Sequence, residues 1–134
     1  LEMDVSDMLR QTPELGIVLP KAIPNTRLAL VAVASVSRLH AVRAAAFRGQ
    51  LFRGYWRNGV DLSDPGVLQR IAEASGVPPW VDLAHFESGR ALAAWELDWK
   101  TEGLGGVPRA IRPDGQILWG AKDVPMVRAF FVAQ

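Results

Sequence analysis

The tripeptide Pro113-Asp114-Gly115 separates two short β-type runs, Pro108 to Arg112 and Gln116 to Trp119. Proline presets φ and glycine accepts a positive φ, so these residues specify a tight turn and therefore one hairpin. Everything around the hairpin has helical period, which makes the chain α+β: several helices, one hairpin, one closing helix. A two-stranded ribbon is marginal in water and exposes unpaired edges, so such a chain needs something to cover its hairpin.

Proline and glycine divide the sequence into a helical region, residues 1–102, and a region of residues 103–134 with a glycine-rich turn, the hairpin and the last helix. The first helix is expected over Asp4 to Gln11, stopping before Pro13. Extended chain follows from Gly16 to Pro24. Asn25 and Thr26 supply N-cap chemistry for a helix to about Ser37, and a longer helix is expected from about Leu39 to Arg57. On its wheel Phe47, Leu51, Phe52, Tyr55 and Trp56 cover one broad arc, with Arg48 falling among them. Asn58-Gly59 ends that helix. Ser63 or Asp64 caps the next, Pro65 suits its first turn, and Gly76 closes it over Val67, Leu68 and Ile71. One or two helical turns are expected over Val81 to Phe86. A helix from Ser88 to Thr101 then sets Leu92, Trp95 and Trp99 on one core-facing stripe. Asp123 caps a final helix from Val124 to about Val132, apolar at Met126, Val127, Phe130 and Phe131.

Composition removes several function classes. Of 134 residues, 15 are basic and 14 acidic, and a net charge of +1 gives no electrostatic footprint for nucleic acid or an anionic membrane. Cysteine is absent, which excludes a disulfide framework, a thiolate zinc site and thiol redox chemistry carried by this chain alone. His40 and His85 have no third ligand at metal spacing. Glu96 and Asp98 point to different faces of one helix, so they form no acid–base pair. Gly103, Gly105 and Gly106 lack the Lys-Ser/Thr of a phosphate loop. No basic-then-apolar leader opens the sequence and no apolar run approaches a membrane span, which leaves the cytoplasm as the default location.

The ordered set of motifs resembles a known group. Gly103-Leu104-Gly105-Gly106-Val107-Pro108, two short strands, then Leu118-Trp119-Gly120 before a capped helix is similar to the C-terminal part of the DsbA-like thioredoxin-fold superfamily. Upstream, Asn25-Thr26 opening one helix, Leu51-Phe52-Arg53-Gly54-Tyr55-Trp56 ending the next, then Gly59-Val60-Asp61-Leu62-Ser63-Asp64 and Val67-Leu68 looks like the helical insertion of its FrnE-like and 2-hydroxychromene-2-carboxylate isomerase branches. The match covers roughly residues 3 to 132. The resemblance implies a mostly helical insertion followed by the C-terminal β-β-α portion of a thioredoxin-like fold. It also implies a preceding β-α-β unit carrying a Cys-x-x-Cys pair or a serine, to which nothing in this sequence corresponds. No catalytic residue is therefore assigned.

For the assigned residues the resemblance implies substrate positioning in a thiol–disulfide oxidoreductase or a glutathione-linked isomerase. Val107-Pro108 would be a cis peptide whose flanking backbone pairs with a peptide or small-molecule substrate; the bland alternative is a trans proline at a strand start. Arg109 stands where relatives carry a small or hydroxylic residue. Tyr55, Trp56 and Arg48 would wall the cleft. The competing reading makes the aromatics core and leaves Arg48 as a solvated or paired cation. Gly120, Ala121, Lys122 and Asp123 occupy the glutathione-type step, but Ala121 and Lys122 stand where a hydroxyl and a carboxylate are needed. A cation facing the γ-glutamyl ammonium disfavours glutathione, and the favoured reading of Asp123 is a plain N-cap. The alternative from another class is a non-catalytic module whose hairpin edge pairs with another chain or a second copy.

Overall fold

Arg27–Leu39 forms the first long helix, α1, and its start shows which residue of the expected cap does the bonding. Asn25 Oδ1 accepts the Arg27 N–H at 3.0 Å, whereas Thr26 occupies the cap position without a side-chain bond. The computed structural model describes residues 10, 13–18, 23–101, 108–120 and 122–132. The helix expected over Asp4 to Gln11 lies outside them except for Arg10. A 3-10 turn at Pro13–Leu15 closes at Gly16, which lies in the left-handed region at φ +59° where extended chain was expected, and the Val18 N–H donates to the Trp56 carbonyl at 2.6 Å.

The second long helix begins later than its apolar pattern suggests. His40 leaves helical backbone at φ −152°, ψ 61°, and its ring meets Trp80 edge-on with centroids 5.7 Å apart. Leu39 therefore belongs to α1, a 3-10 turn covers Ala41–Arg43, and α2 runs Ala44–Asn58. Periodicity reads through such a break because one distorted residue barely shifts the wheel. Gly59 ends α2 in the left-handed region at φ +62°. Helix α3, Pro65–Ala74, is capped by Asp64, whose Oδ1 accepts the Gly66 N–H at 2.7 Å and approaches that of Val67 at 3.4 Å. The segment 81–85 consists of turns and no helix. Ser35 helps hold it: its buried hydroxyl donates to Val31 O at 2.8 Å, with Leu83 O 3.3 Å away. Helix α4 is Phe86–Thr101.

The core lies where α1, α2 and α3 meet. Ala29, Ala32 and Val36 of α1, Ala44, Phe47 and Leu51 of α2, and Leu68 and Ala72 of α3 are buried in one cluster. Small residues on α1 and α3 let the helices approach closely, and Phe47 supplies the bulk. Gly54 serves the same end. A Cβ there would sit 3.1 Å from Val60 Cγ2 and 3.5 Å from Ile71 Cδ1. The broad apolar arc of α2 is narrower than its wheel: Phe47 and Leu51 are buried, Tyr55 and Trp56 half-buried, and Phe52 exposed. Likewise only Leu92 of the α4 stripe is buried, while Trp95 is 60% and Trp99 37% exposed.

The chain forms two compact units, Leu1–Trp95 and Glu96–Gln134. The division expected at 102/103 falls on residues outside those described. In the second unit β1, Arg109–Ile111, pairs antiparallel with β2, Ile117–Trp119, in the register Arg109↔Trp119, Ala110↔Leu118, Ile111↔Ile117. Gly115 makes the turn at φ +83°, which no other residue type adopts easily. Helix α5, Val124–Val132, follows, and Asp123 Oδ1 accepts the Met126 N–H at 2.8 Å. The fold is α+β, as expected. Among the described residues no helix is long and apolar enough to cross a membrane.

Candidate functional site

Antiparallel pairing decides what the hairpin presents. The Gly120 N–H bonds Pro108 O and the Arg112 N–H bonds Gln116 O, both at 2.9 Å. Hydrogen-bonded pairs alternate along such a ladder, so Ala110 faces β2 through its backbone. The N–H and C=O groups of Arg109 and Ile111 then point to the opposite edge, which has no strand partner among the described residues. Pro108 opens that edge and is exposed. Val107, and with it the peptide bond expected to be cis, lies outside the described residues.

The two faces of the hairpin differ. Arg109, Ile111, Ile117 and Trp119 share one face because side chains alternate along a strand. The Arg109 guanidinium carbon lies 3.3 Å from the centroid of the Trp119 ring and 5.8 Å from that of Trp99. Its Nε and Nη1 are buried without a hydrogen-bond partner, as expected of a cation stacked on indole faces. On the other face, Ala110 and Leu118 join Val127 and Phe131 of α5 around a cleft of about 280 Å³, which Pro108, Gly120 and Lys122 also line.

An arginine clamp at the turn has no counterpart in the sequence reading. Arg112 directs Nε to Asp114 Oδ1 at 3.0 Å, Nη2 to Asp114 Oδ2, and Nη1 to the Phe130 carbonyl at 2.9 Å. A single side chain thus ties the turn to the end of α5. The signal that could have exposed it is the Arg-Pro-Asp spacing, which places a cation two residues from the turn carboxylate. The Arg112 side-chain hydrogen bond, supported by the Gln116 N–H, holds Asp114 below the ordinary carboxylate pKa. A carboxylate depressed on folding contributes stability that is present above its unfolded pKa and lost as pH falls through the folded one. Carbon-detected NMR titration is expected to find Asp114 titrating below the ordinary carboxylate value. Arg112→Gln is expected to raise it towards the ordinary value.

The other assigned residues fall into separate places. Tyr55 and Trp56 meet edge-on, centroids 4.8 Å apart, and line a cleft of about 270 Å³ between α1 and α2 within the first unit. Arg48 is exposed and stacks on no ring among the described residues. Lys122 is exposed, Gly120 has φ +73°, Ala121 lies outside the described residues, and Asp123 serves as the α5 cap. Trp95 is exposed, contrary to its expected place on a core-facing stripe, and Trp80 is exposed as well. Trp80 sits on a turn and Trp95 in the middle of α4, where helical spacing alone does not decide which face a neighbour covers.

Compared with known families, residues 5–132 match the model of the DSBA-like thioredoxin domain. No curated protein matches the chain.

Proposed function

The chain belongs to the DSBA-like thioredoxin domain family, and from that membership we propose that it positions substrate for a thiol–disulfide oxidoreductase or a glutathione-linked isomerase of the FrnE-like or hydroxychromene-carboxylate isomerase type. The observation that carries this reading is the open edge of β1. Pro108 starts it, and the backbone groups of Arg109 and Ile111 offer an extended peptide the pairing that a third strand would supply. Exposed Ile111 and Ile117 add apolar area beside it. Thiol–disulfide exchange needs an attacking thiolate, and the sequence holds no cysteine. The residues assigned here therefore bind and orient; none is given the chemical step.

Within this reading glutathione is a poor ligand in its free form. Lys122 would face the γ-glutamyl ammonium, and the Asp123 carboxylate is engaged by the α5 N-terminus. The suitable probe is N-acetylated glutathione disulfide, an extended peptide and a disulfide at once, with its amines capped. Titration followed by amide NMR is expected to shift and protect the Arg109 and Ile111 amides, with uncapped glutathione disulfide binding more weakly. Ile111→Pro deletes one edge N–H without touching the Ala110–Leu118 pair, and is expected to weaken binding about tenfold. Binding that leaves both amides unmoved would sink the proposal.

The same edge supports a second reading, a non-catalytic module that pairs with another chain or a second copy. Among the described residues every buried hydrophobic lies at or before Leu92, so residues 96–132 contribute none to the core. A hairpin unit in that condition gains from a partner. Amide protection at Arg109 and Ile111 that rises with protein concentration, without added peptide, would favour this reading over the first.

A further inference from the structure

The cleft beside the hairpin carries a charge pattern that bears on which peptides its edge accepts. Ala110 and Leu118 of the hairpin and Val127 and Phe131 of α5 make its apolar walls, with Pro108 and Lys122 beside them. Arg109 also borders it, but its guanidinium lies on the opposite face of the hairpin, against Trp119. None of the described residues that line the cleft is acidic. Lys122 is therefore the one charged side chain, among them, that the cleft can use.

That lysine is not engaged within the chain. It is exposed and makes no ion pair among the described residues. Asp123, its neighbour in sequence, turns Oδ1 to the Met126 N–H instead. A solvated lysine is ordinary at a protein surface. This one differs in standing over apolar walls, beside a strand edge without a strand partner among the described residues.

Strand geometry connects the edge to the cleft. Side chains of a peptide paired on β1 alternate between the two faces, whichever way the peptide runs. The residues across from Pro108 and Ala110 project on the face that carries Leu118, and the residue between them joins Arg109 on the other. Directly opposite side chains on one face stand about 4.5–5.5 Å apart at Cβ. A side chain of the peptide at either of those two places thus enters the space that Lys122 lines.

We infer that Lys122 determines specificity at this edge: the cleft takes an acidic side chain of the bound peptide, and Lys122 pairs with its carboxylate. The inference rests on the strand-edge reading and adds to it the class of peptide preferred. An exposed ion pair shifts an equilibrium severalfold rather than by orders of magnitude, which sets the size of the effect.

The test uses the full chain and three blocked pentapeptides, acetyl-Thr-Val-Xaa-Val-Thr-amide with Glu, Gln or Lys at the centre. Amide NMR gives each dissociation constant, and protection of the Ala110 and Leu118 amides reports that the hairpin is formed. The Glu peptide is expected to bind about threefold tighter than the Gln peptide and about tenfold tighter than the Lys peptide. That preference is expected to shrink as salt rises from about 20 mM to about 500 mM. Lys122→Gln should level the three peptides and Lys122→Glu should reverse their order. Arg128→Gln removes an exposed cation of α5 that does not line the cleft, and should leave the order unchanged. Arg109 and Ile111 amides that shift equally with all three peptides, at equal affinity, leave the strand-edge reading standing and overturn this inference. The same holds for a Glu preference that survives Lys122→Glu, or one that Arg128→Gln abolishes. If no peptide moves those two amides, the strand-edge reading falls and this inference falls with it.

Discussion

Replacing Phe47 with alanine is expected to lower the unfolding free energy by about 3–5 kcal/mol. Phe47 is fully buried and is the largest of the fully buried side chains in the described structure. Its companions in the cluster include Ala29, Ala32, Ala44 and Ala72, residues with no rotamer freedom and too little bulk to refill the space. The cost therefore combines lost transfer free energy with a cavity that the neighbours leave open. A domain of this size has about 5–15 kcal/mol in all, so the variant keeps only a fraction of its stability. Urea unfolding followed by far-UV circular dichroism measures the change, with an unaltered m-value showing that the effect is on stability rather than compactness. Phe47→Leu retains most of the volume and is expected to cost clearly less. Should Phe47→Ala unfold at the parent midpoint, the three-helix core is not the principal source of stability.

The elements that rest on local chemistry were legible in the sequence. Asp64 with Pro65, Asn58-Gly59, Pro113-Asp114-Gly115 and Asp123 each announced a cap or turn, and each performs it. Phe47, Leu51, Leu68 and Leu92 announced themselves as core by spacing, and they are buried. What periodicity could not supply is the identity of the neighbour. Phe52, Trp95 and Trp99 lie on or beside the apolar arcs of their helices and yet are exposed, because burial depends on what packs there and not on the wheel alone. His40 broke a helix that reads as continuous, since a single non-helical residue leaves no mark on an averaged period. The same logic applies to the site. The position of Pro108 at a strand start followed from its spacing to the turn, whereas the open edge beside it is a property of pairing. Arg109 stood out as a departure from its relatives, but its stacking partner ten residues away became visible only through the hairpin register.

That register makes Arg109 a sensitive position of the second unit. Arg109→Glu is expected to destabilise the hairpin by about 3 kcal/mol. The parent cation lies over the negative face of Trp119, with Nε and Nη1 removed from water. A partly desolvated cation–π contact contributes up to about 2 kcal/mol, all of it lost on substitution. The carboxylate that replaces it meets the same indole face with unfavourable sign and without a compensating donor, which adds a desolvation cost. Arg109→Lys separates charge from shape: it keeps the cation and loses the planar stack, so an intermediate effect is expected. Near-UV circular dichroism of the tryptophans and hydrogen exchange of the Ala110 and Leu118 amides are the readouts. Both amides lie in the described ladder, and their protection should fall by about 100-fold in the glutamate variant if its cost approaches 3 kcal/mol. The outcome also bears on substrate positioning. If Arg109 serves the hairpin, Arg109→Lys should bind N-acetylated glutathione disulfide nearly as well as the parent chain once the ladder is intact. A large loss of binding with full amide protection would instead make Arg109 a substrate contact, and the stacked geometry would then be the resting position of a ligand-binding side chain.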